Sequence, residues 1–187
     1  MIIAYDKAKG CTGKVPPGMR NLYRWTLATV PYAKGLGTLN CRKVRESAKT
    51  WSLHSEGRAM DITFTKDVSE NCRKLAEYFS QPEIAEKYQI QGVIDYQRNR
   101  AWFGKVGAWK SYKGKGYKHV HVEMNWKGAN NNVALATVDI PDSEIEYASA
   151  DEDDGFPYDD YDNPIMLASI FVAMVCLGFF TIEIFSS

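Results

Sequence analysis

The chain has 187 residues, 45% of them hydrophobic and 25% charged, which is enough for one domain of ordinary size and an appended segment. The formal net charge of zero excludes neither a basic nor an acidic surface, because the charges are unevenly distributed. All 23 Lys and Arg residues lie in residues 1–140 with 12 acids, a net charge of +11, whereas residues 141–187 hold 11 acids and no base. The composition indicates a basic domain, suited to an anionic partner, joined to an acidic tail.

In residues 1–140, short apolar runs alternate with turns rich in Gly, Asn and Lys, a pattern typical of an α+β domain. Pro16-Pro17 followed by GMRNLYRWTLATV predicts a first helix, and SENCRKLAEYFS predicts a second, with Ser69 as its N-cap. RAMDITF, QGVIDY and HVHVEMNW alternate with a period of two and predict strands. We therefore expect one α+β domain over residues 1–140, with a small antiparallel sheet and flanking helices.

The remainder divides into two segments. Residues 141–163 contain ten acids and too little apolar surface to fold alone, which predicts a flexible linker. Pro164 then introduces IMLASIFVAMVCLGFFTIEIF, 21 residues in which Glu183 is the single charge. As a helix this stretch would be about 31 Å long, close to the thickness of a bilayer's hydrocarbon core. We interpret residues 164–187 as a transmembrane helix.

The four cysteines show no zinc-binding spacing. Cys176 lies in the predicted membrane helix, and Cys72 occupies the second predicted helix as a small apolar residue. The pattern weighs against a disulfide between Cys11 and Cys41 without excluding it. We expect the chemistry of the protein not to depend on sulfur.

The three histidines occur close to acidic residues. Because alternate residues of a strand share a face, His119, His121 and Glu123 are expected to project to one side. An isolated His-x-His on a strand is usually a solvated face. However, His54, Asp61 and one of the two strand imidazoles would together supply two nitrogens and a carboxylate, which is the ligand set of a catalytic zinc site with one position open.

These residues also resemble a known superfamily. SLHSEGRAMD fits the Ser-x-His-x(6)-Asp motif of zinc D-alanyl-D-alanine carboxypeptidases and related phage peptidoglycan peptidases, and HVHVE is similar to the second ligand strand of their His-x-His branch. GVIDYQRNRAW and WKSYKGKGYKHVHVEMN are similar to the stretches that precede that strand. The resemblance covers roughly residues 36–126. It implies a hedgehog/DD-peptidase-like fold and a zinc-dependent peptidase.

The resemblance also implies roles for individual residues. The zinc ligands would be His54, Asp61 and His121. Many relatives carry an acid three residues before the last ligand, but Lys118 stands there in this chain. The catalytic role would then belong to His119, with Glu123 as the alternative.

Two further residues match substrate-facing positions of the family. Arg42 matches an arginine that faces the substrate in relatives, and a guanidinium suits bidentate binding of a carboxylate. Arg45 is the alternative. Ser52 resembles the family serine near the substrate.

The resemblance leads us to expect hydrolysis of peptidoglycan stem peptides or cross-links, in the setting of a phage lysis enzyme (endolysin). Carboxypeptidase, D,D-endopeptidase and L-alanyl-D-glutamate endopeptidase activities all remain open. A membrane-tethered, zinc-containing wall-binding module without turnover is the alternative. We do not expect a nucleic-acid partner, since the basic residues are scattered and form no known nucleic-acid motif.

The tail generates the first testable prediction. The apolar run at the N-terminus, MIIAYDKAKG, is too short for a signal peptide. We therefore expect the simplest topology, a C-terminal anchor with the domain made in the host cytoplasm. Removing residues 164–187 should release the protein from membranes. Removing residues 141–187 should also raise peptidoglycan binding at low salt, because ten tethered acids no longer compete for the basic domain, but not at high salt. If the protein without residues 164–187 still pellets with membranes, the membrane anchor is contradicted. If the two truncated proteins bind peptidoglycan equally at low salt, the competition by the acidic segment is contradicted.

Overall fold

A computed structural model describes residues 3–44, 47, 49–114 and 118–131. Within them the chain forms four helices and six strands. In chain order these are α1 Pro17–Thr29, β1 Ala33–Gly37, β2 Ala59–Phe64, α2 Val68–Phe79, α3 Pro82–Tyr88, β3 Ile90–Asp95, β4 Arg100–Phe103, β5 Ala108–Ser111, β6 Val120–Met124 and α4 Trp126–Ala129. A short 3-10 turn, Leu53–Glu56, precedes β2. The predicted α+β class is confirmed.

The strands form one six-stranded sheet in the order β1-β2-β6-β3-β4-β5, and every neighbouring pair is antiparallel. The last strand in the sequence, β6, is therefore inserted between β2 and β3. Asp61 on β2 lies directly opposite His121 on β6. This register brings together residues that are 60 positions apart in the sequence.

The two faces of the sheet have different characters. On β2 and β6, the residues that alternate with Asp61 and His121 enter the hydrophobic core, where they join buried side chains of α1 and α2. The buried members of the two strands are Met60, Ile62, Phe64, Val120, Val122 and Met124. The period-two pattern thus leaves the opposite face of the same strands for polar side chains.

The predicted helices and strands are found with small differences. The first helix begins at Pro17, as expected for a proline at the start of a helix. The second begins at Val68, so Ser69 is not its N-cap; Asp67 takes that place in a left-handed conformation (φ 46°). Ser69 lies inside the first turn, where its carbonyl accepts a hydrogen bond from Arg98.

Cys11 and Cys41 form a disulfide, with their Cα atoms 5.4 Å apart. The sequence weighed against this bridge because no cysteine spacing pointed to it. The segments that carry the two residues both hydrogen-bond to the 3-10 turn, through the N–H groups of Thr12 and Asn40. Since the bridge closes a loop with a sequence separation of 30, it would stabilise the fold by about 3–4 kcal/mol through the unfolded chain. Cys72 is buried and free.

The predicted linker (141–163) and membrane segment (164–187) lie outside the described residues. Both remain predictions. Within the part of the chain that the structure describes, no helix has the length and apolar character needed to cross a membrane.

A fully buried arginine, Arg58, follows the 3-10 turn and pairs with its last residue. Arg58 has 0% exposure and donates to the carboxylate of Glu56 through Nε (2.8 Å) and Nη2 (2.6 Å). It also donates to the carbonyls of Met124 and Asp6, and its guanidinium lies 4.7 Å from the ring centroid of Trp126. Arg58 thus joins the turn, the N-terminal segment and the end of β6.

We expect Arg58→Met to lower the free energy of unfolding by about 3–5 kcal/mol, because it leaves the buried Glu56 carboxylate without its cation. Chemical denaturation checks this. Arg73→Met is the control, since Arg73 is 36% exposed and pairs with exposed acids of α2, where an ion pair is worth up to about 1 kcal/mol. Equal losses in both variants would contradict the structural role of Arg58.

Candidate metal centre

Three predicted ligand residues converge on the polar face of the sheet. His54, Asp61 and His121 each present a donor atom, and these atoms lie within 4.8 Å of one another. The His54 Nε2 atom lies 3.1 Å from His121 Nδ1 and 3.2 Å from Asp61 Oδ2, and His121 Nδ1 lies 2.8 Å from Asp61 Oδ1. The cluster can hold a metal ion.

Two of the donor separations are close to those of tetrahedral coordination. Ligands bound at about 2.0–2.1 Å on a tetrahedron lie about 3.3 Å apart. His121 Nδ1 lies 3.1 Å from His54 Nε2 and 2.8 Å from Asp61 Oδ1, which is close to that value. His54 Nε2 contacts the other carboxylate oxygen, Asp61 Oδ2, at 3.2 Å, so each oxygen of Asp61 faces one imidazole.

The outer ring nitrogens are already bonded, which fixes how each imidazole faces the cluster. The His54 Nδ1 atom lies 3.2 Å from the carbonyl oxygen of Thr38, and His121 Nε2 lies 3.0 Å from Glu123 Oε1. If each outer nitrogen donates to its oxygen, each inner nitrogen has its lone pair toward the centre. Metal-binding histidines usually show this arrangement, because the outer bond orients the ring and raises its basicity.

The charges of the cluster also favour a cation. Burial alone would raise the pKa of Asp61, but the adjacent imidazoles of His54 and His121 hold that pKa well below its usual value. Burial would lower the pKa of His121, but Asp61 and Glu123 raise it to about 10. The carboxylates of Asp61 and Glu123 therefore stabilise the protonated, positively charged form of His121. A divalent cation can take the place of the proton on the inner nitrogen.

The local sequence explains how His54 reaches the centre. Gly57 ends the 3-10 turn in the left-handed conformation (φ 61°), and a Cβ there would lie 2.6 Å from the carbonyl oxygen of Lys14. Glycine is therefore required by both the backbone angle and the close approach. The chain can then reverse after the turn and enter β2, which carries Asp61.

His119 lies beside the cluster and is outside the three-residue group. Its Nε2 atom is 3.7 Å from Asp61 Oδ1, and its ring packs against Tyr96 with 4.5 Å between centroids. The preceding residue, Lys118, has φ 41°, and its carbonyl oxygen accepts a 2.6 Å hydrogen bond from Thr63 Oγ1. The His119 side chain is 15% exposed, so it can contact both the cluster and a bound molecule.

Glu123 has a structural role that the sequence did not indicate. It is 6% exposed and is engaged by His121, and a Cβ on Gly92 would lie 2.6 Å from its Oε2 atom. Gly92 on the neighbouring strand therefore makes room for the carboxylate. Burial, followed by the charge of Glu123, raises the pKa of the Tyr5 hydroxyl above its usual range. Glu123 and Asp61 thus contact opposite nitrogens of the His121 ring, Nε2 and Nδ1.

The predicted substrate residues have local contacts. The Ser52 hydroxyl accepts a 3.3 Å hydrogen bond from the His54 backbone N–H, so it caps the turn that carries the ligand. Arg42 is half-buried, and its Nη1 donates to the carbonyl of Lys43 at 3.4 Å. Arg45 lies outside the described residues. The substrate roles of Arg42 and Ser52 remain predictions.

Fold and site together define an α+β domain with a candidate two-histidine, one-aspartate metal centre. Residues 11–122, a span of 112 residues in a chain of 187, match the model of the family described as VldE, C-terminal domain. The chain belongs to this family. The matched span includes both bridged cysteines and all three metal-site residues, whereas Glu123 follows its last residue. Neither the curated proteins nor the solved structures contain a match to the chain.

We expect His121→Ala and Asp61→Asn each to abolish stoichiometric binding of a divalent cation, because two remaining ligands cannot hold it tightly. Calorimetric titration with zinc, after treatment with a chelator, measures the loss. His119→Ala, which removes the imidazole directly before β6, is the matched control and should keep one equivalent. Retention of a full equivalent by His121→Ala would contradict the assignment of the centre.

Proposed function

We propose that this chain is a zinc-dependent peptidase that hydrolyses stem peptides or cross-links of peptidoglycan. The observation that carries the proposal is the convergence of His54, Asp61 and His121 with both outer ring nitrogens already bonded. This is the donor set of catalytic zinc sites, which keep one position for water or substrate. A hedgehog/DD-peptidase-like fold, suggested by the sequence motifs, belongs to the same proposal.

Zinc held by these residues would supply a water of pKa about 7 and polarise the scissile carbonyl. The three ligands are unequally exposed. The Asp61 side chain is 20% exposed, whereas those of His54 and His121 are 5% and 9% exposed. A substrate would therefore approach from the side of Asp61, where His119 also lies.

His119 is the residue best placed to transfer a proton. It lies beside Asp61 without belonging to the three-residue group, and it is partly exposed. A protonated His119 can stabilise negative charge that develops on the substrate and can donate a proton to the leaving amine. Glu123, the alternative, is buried and bonded to His121, which disfavours Glu123 as a proton carrier.

The charge distribution supports a wall substrate. Residues 1–140 carry a net charge of +11, which suits a polymer rich in carboxylates and phosphates. The exposed Cys11–Cys41 disulfide supports action outside a reducing cytoplasm. The proposed setting is a phage endolysin, made in the host cytoplasm and anchored to the membrane by residues 164–187. A zinc-containing wall-binding module without turnover is the alternative outcome of the test.

Purified peptidoglycan incubated with the zinc-loaded protein should yield new muropeptides, detected by mass spectrometry, and their masses would identify the bond that is cut. His119→Ala should keep its zinc but release these products about 100 to 10,000 times more slowly, the usual loss for a general acid or base. His121→Ala serves as the metal-free control. Wall binding by the zinc-loaded protein without new products would support the binding module instead. Loss of zinc from His119→Ala would mean that this residue is a ligand.

A further inference from the structure

The turn that carries His54 has little stability of its own. It consists of four residues, Leu53–Glu56, in a 3-10 conformation, which is used only in short pieces because its hydrogen bonds are poorly aligned. Yet His54 is 4% exposed and must be held within bonding distance of Asp61 and His121. Contacts from outside the turn are therefore needed to fix the ligand.

The N-terminal segment provides the contacts on one side. The backbone N–H of Thr12 donates to the carbonyl of Ser55 at 2.9 Å. The Ser55 hydroxyl in turn lies 2.6 Å from the carbonyl oxygen of Gly10 and 2.6 Å from that of Ser52, and its one proton is shared between these two acceptors. These bonds fall on the two residues that flank Cys11.

The segment after β1 provides the contacts on the other side. The backbone N–H of Asn40 donates to the carbonyl of His54 at 3.1 Å, and the N–H of Ser52 donates to the carbonyl of Arg42 at 3.1 Å. These bonds fall on the two residues that flank Cys41. Thr38, whose carbonyl lies 3.2 Å from His54 Nδ1, belongs to the same segment.

The Cys11–Cys41 disulfide therefore joins the two segments that hydrogen-bond to the metal-binding turn. Both cysteines are exposed, so the bridge adds little to the hydrophobic core. Its effect is to fix one segment relative to the other. We propose that this disulfide is a positioning element of the metal centre: it holds the His54 turn in its binding conformation before the cation binds. This inference rests on the metal site of the proposed function.

The expected consequence concerns affinity. Without the bridge, the two segments can separate and the turn can leave its place, so only a fraction of molecules presents all three ligands. The apparent dissociation constant rises as that fraction falls. Loss of groups that orient metal ligands typically weakens binding about 10 to 100 times, and we expect a change within this range.

The test uses the full chain with both cysteines replaced, Cys11→Ser together with Cys41→Ser, titrated with cobalt(II) chloride and then zinc chloride. Serine is preferred to chemical reduction because free thiols are themselves zinc and cobalt ligands. Cys72 does not interfere, since it is buried and its burial raises the pKa of the thiol to about 12. Cobalt absorption reports the ligand set, and circular dichroism reports whether the fold is kept.

Leu22→Ala is the control, because it removes a fully buried side chain of α1 and lowers the melting temperature while leaving the bridge in place. We expect the double serine variant to bind cobalt at least about ten times more weakly than the unmodified chain. Leu22→Ala should bind it with unchanged affinity at a temperature where both are folded.

Equal affinity in the double serine variant and the unmodified chain would overturn the inference alone. A similar loss in Leu22→Ala would also overturn it, since the effect would then follow general destabilisation. If the double variant does not fold, the unmodified chain replaces it after its exposed disulfide has been reduced under native conditions and both thiols blocked with iodoacetamide, which does not reach the buried Cys72. Unchanged affinity in the blocked protein would overturn the inference. Absence of cobalt binding by the unmodified chain would overturn the inference and the proposed function together.

Discussion

The candidate site depends on one strand pairing. The last strand, β6, lies between β2 and β3, and its antiparallel register places His121 opposite Asp61. A shift by one residue would turn His121 into the core and Val120 or Val122 toward the cluster, because side chains alternate along a strand. The buried aliphatic side chains on the other face of both strands fix the register, so the hydrophobic core also determines the position of the ligands.

The remaining constraints orient the donors that the register brings together. Thr38 and Glu123 bond the outer nitrogens of the two imidazoles, and Gly92 leaves space for the Glu123 carboxylate. Burial of polar groups such as the Glu123 carboxylate lowers the stability of the fold unless they are paired. Their placement against the outer nitrogens of two histidines therefore needs an explanation. Binding of a cation at the inner nitrogens accounts for it, since the same bonds orient metal-binding imidazoles in proteins.

The sequence predicted what short-range patterns control. The alternation in RAMDITF, QGVIDY and HVHVEMNW predicted β2, β3 and β6, and the proline pair predicted the start of α1. β4 and β5 were missed because each has only four residues, too few for the alternation to be distinguished from a loop. β1, AKGLG, contains two glycines and little of the composition that favours strands.

The site, like the fold, could be predicted only where short-range patterns determine it. The three ligand residues could be named from their types, spacing and resemblance to a family. The bonds of Thr38, Gly92 and Glu123, and the bridge between Cys11 and Cys41, depend on long-range contacts that leave no local signal in a single sequence. Glu123 was named only as an alternative catalytic residue, whereas its contact with His121 gives it an orienting role.

The central claim is that two imidazoles and one carboxylate bind a zinc ion in this domain. X-ray absorption spectroscopy of the full chain loaded with one equivalent of zinc tests it most directly. We predict nitrogen and oxygen ligands at about 2.0–2.1 Å, the multiple-scattering signature of two imidazoles and no sulfur ligand. A sulfur ligand at about 2.3 Å, or a spectrum of hydrated zinc without imidazole scattering, would contradict it.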